Sequence, residues 1–397
     1  MTRLRLLIVP AAFLFAAAMP ASIFLMNWAL ALWLGTWVLA GTPDERRRFA
    51  DALLPLAPWM AASVLAWAAA GPLPAKNLRF LFAWLAYPLA ATYLPAVDRR
   101  RWLLVFFAVL AATVLVGFVQ HANGNKWIAW GACDFGLQNY TGGVKQFWCG
   151  FKGGTRARGF FYTPMTYAAV VLYGVLVAAW WVAREKSRLV AAGLVLFAMG
   201  LAMTSSRNAW VGLAAGLPFI LGAQKKAWLA AAAVAAAMGL VVLASPAVRS
   251  RLATFEHAPS ADPATSTGAR MFLWRDAVAQ FEERPVLGWG PGTFSSNVAA
   301  RHPDVKLLSN KHAHNSYLQA LAETGLVGFA AMLASWLWLA VRAVRRGGAG
   351  RLGLAVLAGF AGAGLFEANY LDSEVVINFL VWMAFAATYP KPSESPS

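Results

Sequence analysis

The segment Lys311-His312-Ala313-His314-Asn315-Ser316-Tyr317-Leu318-Gln319 sets two imidazoles where a polar stretch gives way to an apolar one. The chain has five histidines, so a pair this close asks for a chemical reason. An imidazole titrates near pH 6.5 and accepts a proton as a general base when neutral. Ser316 and Gln319 fit a capping box, with Ser316 as N-cap and Gln319 at the third helical position. His314 then lies just outside a helix N-terminus, where the dipole favours anions and disfavours imidazolium. That setting suits a neutral base at His314 and a bound phosphate beside it. A hydrogen bond from His314 to loop backbone is the plainer alternative. His312 is read as orienting or binding, and Asn315 as a binding neighbour. Glu323 lies roughly two turns deeper on the same helix. An acid inside a membrane span is costly and usually paired or functional, and an arginine is its simplest partner. Leu318, Leu321 and Val327 read as packing, and Gly325 and Gly328 as places where helices approach closely.

Arginines supply the complementary chemistry. Arg207, in Thr204-Ser205-Ser206-Arg207-Asn208-Ala209-Trp210, sits in a turn between two apolar segments. A planar guanidinium there suits a pair of phosphate oxygens; snorkelling or a structural ion pair is the alternative. Arg156 and Arg158 precede another apolar segment, and Arg270 opens a helical pattern running through Met271–Phe281. Each of these three could equally be a solvated charge. Together the arginines could neutralise a pyrophosphate without a metal. The polar loops hold no Asp-x-Asp pair and no zinc-type Cys/His spacing, and His312-x-His314 alone offers too few ligands. No metal and no cofactor is expected. The two cysteines, Cys133 and Cys149, share one loop. In an oxidising compartment they could pair, or remain two free thiols, since sequence does not give the Cα separation a bridge needs.

These residues need a membrane to position them. Hydrophobic residues make up 60% of the 397 and charged residues only 13%, against about 25% charged in soluble domains. Mean hydropathy is +0.56. A spanning helix takes roughly 20 apolar residues. Apolar segments fall near 4–19, 22–40, 52–70, 78–97, 102–120, 163–183, 189–204, 208–222, 227–245, 315–341, 352–366 and 373–388. The fold class expected is therefore all-α and polytopic, a single membrane domain over 1–397 with about twelve transmembrane helices. If Arg3 and Arg5 start in the cytoplasm, alternation puts Arg46–Arg48, Arg99–Arg101, the Arg184, Lys186 and Arg188 cluster, Lys225-Lys226 and the cluster from Arg342 to Arg351 inside as well, as the positive-inside rule asks. Both termini are then cytoplasmic. Residues 1–20 also resemble a signal peptide, but Met19-Pro20 is a poor cleavage context, so they read as an uncleaved first helix. Two long loops, 121–162 and 246–312, fall on the outer face. The same alternation brings Arg156, Arg158, Arg207, Arg270 and the histidines to that face. The net charge of +17 follows from this topology. Its short clusters between apolar spans speak against a nucleic-acid partner.

At these residues the chain resembles the O-antigen ligase/polymerase superfamily of bacterial envelope glycosyltransferases. The resemblance covers roughly residues 150–330. It rests on Arg156-x-x-Gly159-x-Phe161-x-x-Pro164, on Thr204-x-Ser206-Arg207-x-x-Trp210, on Arg270-x-x-x-Trp274 with Pro285-x-x-Gly288-x-Gly290-x-Gly292-x-Phe294, and on His314-Asn315-x-x-Leu318 with Glu323-x-Gly325-x-x-Gly328. It implies a GT-C-like fold in the bacterial inner membrane, with the active site facing the periplasm. It also implies an undecaprenyl-pyrophosphate-linked glycan as donor and lipid A–core oligosaccharide as acceptor, with membrane lipids around both. Arg207 and Arg270, with Arg156 or Arg158, would hold the pyrophosphate, Arg156 being preferred by its spacing to Gly159. His314 would activate the acceptor hydroxyl for one inverting displacement. Compact length, one large loop at 246–312 and no soluble C-terminal domain favour a ligase. A polymerase or a protein O-oligosaccharyltransferase shares the donor chemistry. A transporter would instead place charged or broken helices at mid-membrane.

Overall fold

The computed structural model describes residues 5–122, 156–161, 163–185, 187–222, 225–246, 248, 266–305 and 312–390. The possible Cys133–Cys149 pair lies outside the described residues, as do most of loop 121–162 and part of loop 246–312. In chain order the α-helices are α1 (Ile8–Ala18), α2 (Ile23–Ala40), α3 (Pro43–Leu53), α4 (Ala57–Ala69), α5 (Phe80–Trp84), α6 (Ala86–Tyr93), α7 (Arg99–Ala122) and α8 (Pro164–Glu185). There follow α9 (Arg188–Met203), α10 (Arg207–Leu221), α11 (Lys225–Ala244), α12 (Ser266–Glu283), α13 (Phe294–Arg301), α14 (Ser316–Val344), α15 (Gly350–Ala363) and α16 (Ser373–Thr388). Among the described residues there is no strand, so the all-α expectation holds.

The protein is a multi-pass membrane protein. Among the described residues, four helices (α2, α7, α8 and α14) are long and apolar enough to cross a membrane, or five spans if the α3–α4 pair, bent by 69°, counts as one. Helices α1, α9, α15 and α16 are apolar but shorter. The outward residues of α14 are apolar too: Leu326, Leu333, Leu337, Trp338 and Val344 are exposed, as a face turned to hydrocarbon should be.

The chain divides into two compact units, Met1–Thr42 with Tyr93–Ala253, and Pro43–Thr92 with Thr254–Ser397. In the first, α8 is buried almost all round from Thr166 to Trp181, as an apolar core helix must be. Long-range side-chain bonds tie its neighbours: Trp102 Nε1 donates to Ala12 O at 2.8 Å and Thr113 Oγ1 to Pro20 O at 2.8 Å. In the second, α4 packs along α14 and α15 along α16. Trp59 meets Tyr370 edge-on at 5.5 Å and lies 6.2 Å from Trp84, an aromatic cluster that roots the turn after α15.

Helix α14 is broken. Gly325 has φ +61°, ψ −164°, outside the helical region. The groups the break frees are taken up by the segment after α12. Leu326 N–H donates to Pro285 O at 2.8 Å and Val327 N–H to Val286 O at 3.1 Å. In return Trp289 N–H donates to Ala322 O at 3.1 Å and Gly290 N–H to Glu323 O at 2.8 Å. A Cβ on Gly288 would lie 2.5 Å from Glu323 C, and one on Gly325 2.4 Å from Val286 C. The close approach read into Gly325 is thus made by a backbone segment and not by a second helix, and the reading is corrected accordingly. Gly328 also departs from it, since a Cβ there would strike Thr324 of its own helix at 2.1 Å.

Gly325→Ala should therefore cost about 1–3 kcal/mol for the left-handed φ alone, and more for the clash. Gly35→Ala, in α2 where an added methyl meets nothing within 4 Å, should gain about 0.5–1 kcal/mol. Thermal unfolding of the two variants in detergent checks the opposite signs.

Candidate active site

The head of α14 is built on Asn315. Its Oδ1 accepts from Tyr317 N–H at 2.9 Å and Leu318 N–H at 3.0 Å, so Asn315 is the N-cap and the expected Ser316 cap is corrected by one residue. Asparagine and serine cap about equally well, and here the serine is needed elsewhere. Ser316 Oγ donates to Glu367 O at 2.9 Å and accepts from Asn369 N–H at 3.0 Å. Ser316 N–H donates to Gly364 O at 2.7 Å, Asn315 Nδ2 to Leu365 O at 3.1 Å and Tyr317 OH to Ala361 O at 2.8 Å. These bonds lace the turn after α15 to the helix head. Gln319 reaches back, though to Ala313 N–H at 2.7 Å.

That lacing delivers a residue that sequence reading did not single out. Glu367, 8% exposed, puts Oε1 3.2 Å and Oε2 3.3 Å from His314 Nδ1. His312 Nδ1 lies 3.3 Å from the same Oε1, and the two rings stand 4.1 Å apart, edge to face. His314 itself has φ +51°. A left-handed histidine is uncommon and costs backbone energy. It is held there by its N–H, which donates to His312 Nδ1 at 3.2 Å, and by the cap that follows. Burial acts to raise the Glu367 pKa, but the hydrogen bond from His314 and the positive charges of His312, His314 and Arg270 outweigh it, so the group sits below its ordinary value. Arg270 on α12 is thus near enough to act on Glu367 electrostatically. A signal was available: Glu367 occupies a short turn between the apolar segments 352–366 and 373–388, on the face the alternation gives to the histidines.

The ligand atoms of His312, His314 and Glu367 lie within 4.8 Å of one another. Two imidazoles and a carboxylate are a known donor set for a divalent cation. Here, however, His312 Nδ1 is turned to the His314 N–H, and the cluster reads as a hydrogen-bonded network.

Among the described residues Glu323, 2% exposed, has no arginine partner of the kind expected. Its Oε1 accepts from Phe294 N–H at 3.2 Å and from Gln319 Nε2 at 2.9 Å, fastening the start of α13 to α14. The Arg270-Trp274-Asp276 stretch is fastened in turn. Asp276 Oδ1 is 3.0 Å from Arg301 Nε and 2.9 Å from His302 Nε2, and Gln280 Nε2 donates to Oδ2 at 2.6 Å. Arg301 also pairs with Glu283. Helix α12, carrying Arg270, is thus clamped to α13.

The remaining arginines belong to the first unit. Arg207 is the first residue of α10 and half-buried. Arg156 Nε donates to Thr204 O at 2.8 Å and its Nη2 to Ser206 Oγ at 2.6 Å, so Arg156 braces the turn that presents Arg207. Arg158 is 3% exposed, and its N–H donates to Gln120 Oε1 at 3.0 Å. The loop and the Ser-Arg turn, read as separate motifs, form one structure.

Residues 192–333 match the family described as O-antigen ligase. The chain is also 30% identical over 252 residues to an O-antigen ligase of Pseudomonas aeruginosa, an alignment covering 58% of this chain and 55% of that protein. An uncharacterized protein of Haemophilus influenzae is 27% identical over 161 residues, 35% of this chain and 39% of its own length. The chain spans about half the length of the first relative and less of the second. These similarities bear out the resemblance to the O-antigen ligase superfamily.

Asn315→Ala should cost about 1 kcal/mol through the lost cap, while Asn315→Asp keeps it; chemical unfolding separates the two. The depressed Glu367 pKa also has a sign. Stability from this carboxylate is full above the ordinary glutamate value of about 4.3, and is lost as pH falls through the lower folded value. Thermal midpoints of wild type should thus fall more steeply below about pH 4.3 than those of Glu367→Gln.

Proposed function

We propose that the chain is a membrane glycosyltransferase of the ligase type, passing a glycan from undecaprenyl pyrophosphate to lipid A–core oligosaccharide at the periplasmic face of the bacterial inner membrane. The topology proposed with it has both termini in the cytoplasm. The observation that carries the reading is the histidine held at the head of α14 against a buried carboxylate, inside the stretch that matches O-antigen ligases. As the acceptor oxygen attacks the anomeric carbon, His314 takes its proton. The bond from that carbon to the pyrophosphate oxygen breaks, and undecaprenyl pyrophosphate leaves with the bonding pair. One displacement inverts the anomeric centre. Charge growing on the leaving group calls for fixed cations, and guanidinium groups meet pyrophosphate oxygens in pairs. Arg207 is the residue assigned to this by its motif, with Arg270 close to the histidines as a further candidate. Arg156 serves that role by bracing the Arg207 turn, which leaves Arg158 as the less exposed of the pair. Glu323 and Asn315 act by holding the helix head and its docked segment, and His312 by supporting His314.

The test is transfer by purified protein given lipid-linked glycan with and without lipid A–core. The ligase reading expects product on the core; lengthened lipid-linked chains made without core would make the enzyme a polymerase. His314→Ala should lose about 10²–10⁴-fold in rate, and full retained activity would remove the base assignment. Arg207→Ala should weaken donor binding by about 10–100-fold, the worth of a charged hydrogen bond of about 1.5–3 kcal/mol, as read by donor KM.

A further inference from the structure

The two histidines sit in different hydrogen-bonded settings, and these bear on where their protons are. An ionised carboxylate has no proton to give. Both Glu367 oxygens face His314 Nδ1 at 3.2 and 3.3 Å, so the hydrogen between them is on the imidazole. His312 is the reverse case. A backbone N–H always donates, and that of His314 points at His312 Nδ1 at 3.2 Å. To accept that bond the nitrogen is bare, although Glu367 Oε1 also lies 3.3 Å from it, and a neutral His312 then carries its proton on Nε2.

From this we propose that Glu367 is a positioning residue, which holds His314 as the Nδ1–H tautomer and so makes Nε2 its basic atom, while His312 is held as the opposite tautomer. The assignment deepens the proposed function and rests on it for the use made of Nε2.

The parts are placed for the task. Glu367 is buried, and its Oε1 is also fixed by the N–H of Ala368 at 3.2 Å. Its backbone carbonyl is anchored by Ser316 Oγ, one residue into α14. The carboxylate therefore moves with the helix head that carries His314. A base whose second nitrogen is tied to a fixed acceptor keeps one ring orientation and gains basicity. His312 needs no such acceptor. It offers Nδ1 to the His314 backbone, which steadies the left-handed conformation, and keeps an Nε2–H as a donor. Identical side chains two positions apart thus come to differ: one Nε2 accepts a proton and the other donates.

The chain's five histidines make this directly readable. The full-length protein, labelled with ¹⁵N-histidine in detergent micelles, is measured at a pH where the rings are neutral, and His314→Ala assigns its signals by subtraction. The expected wild-type spectrum has His314 protonated at Nδ1 and bare at Nε2. Glu367→Ala should abolish that preference, and should lower kcat by about 10–100-fold, as loss of an orienting partner typically does, with donor KM within about twofold. Wild-type His314 protonated at Nε2, or an unchanged tautomer in Glu367→Ala, overturns the proposal. Should Glu367→Ala fail to fold, the wild-type spectrum alone decides. Tautomers are read without turnover, so this can fail while His314→Ala still abolishes transfer, and it can hold even if His314→Ala does not.

Discussion

Everything around the histidines depends on a helix that gives up its own hydrogen bonds. At Gly325 the ladder of α14 stops, and four backbone groups that a continuous helix would pair internally are paired with the Pro285–Gly290 segment. An unpaired backbone group in an apolar region costs several kcal/mol. Break and docked segment must therefore form together. Glycine is required on both sides of the contact, because backbone meets backbone at distances that leave no room for a Cβ at Gly288 or Gly325. The exchange locks the end of α12 onto α14, and Glu323 adds a second tie at Phe294. The clamp of Asp276 on Arg301 and His302 then keeps α12 at a fixed distance. These connections hold in place the helix that carries Arg270, whose charge acts on Glu367.

Much of this was legible in the sequence. Apolar runs and basic clusters marked the helices, and the glycine, histidine and arginine motifs marked the chemistry. What escaped was the identity of the partner. Gly325 signals close approach, but not whether a helix or an extended segment approaches. Asn315 and Ser316 are both good caps, and one-residue register is decided by what each is needed for in three dimensions. Here the turn after α15 claims the serine. Glu323 advertised a buried charge in need of compensation, and the compensation came from Phe294 N–H and the Gln319 amide instead of an opposite charge. Glu367 is 53 residues from His314 in the chain. No local pattern joins them, and only the topological alternation hinted that they share a face.

The arginines show a similar difference between motif and geometry. Arg156 and Arg158 look interchangeable as letters. In the fold the first spends two donors on Thr204 and Ser206, and the second is buried with its backbone held by Gln120. Gln120 in turn donates to Gly159 O at 2.7 Å, so one amide sets the path of the loop from both sides. A Cβ on Gly159 would meet Thr113 Cγ2 at 2.5 Å, which accounts for the glycine in that motif. That glycine is thus a packing requirement of the loop whose Arg156 braces the Ser206-Arg207 turn.

A proton transfer next to hydrocarbon has one overriding difficulty, which is the cost of creating charge in a poorly polarisable setting. In the proposed reaction an acceptor hydroxyl gives its proton to a neutral imidazole, so a cation appears where there was none. Glu367 stands beside it, its carboxylate oxygens 3.2 and 3.3 Å from His314 Nδ1. The imidazolium therefore forms as one half of an ion pair with Glu367 and not as an isolated charge. The opposite change, negative charge gathering on the departing pyrophosphate, is the one a guanidinium offsets. The two halves of the displacement thus call for two kinds of fixed charge, a carboxylate behind the base and arginines at the leaving group. A carboxylate tied to the same helix head as the base can meet the first demand without any motion during the step, which is the reason a turn so distant in sequence is laced to α14 by its backbone.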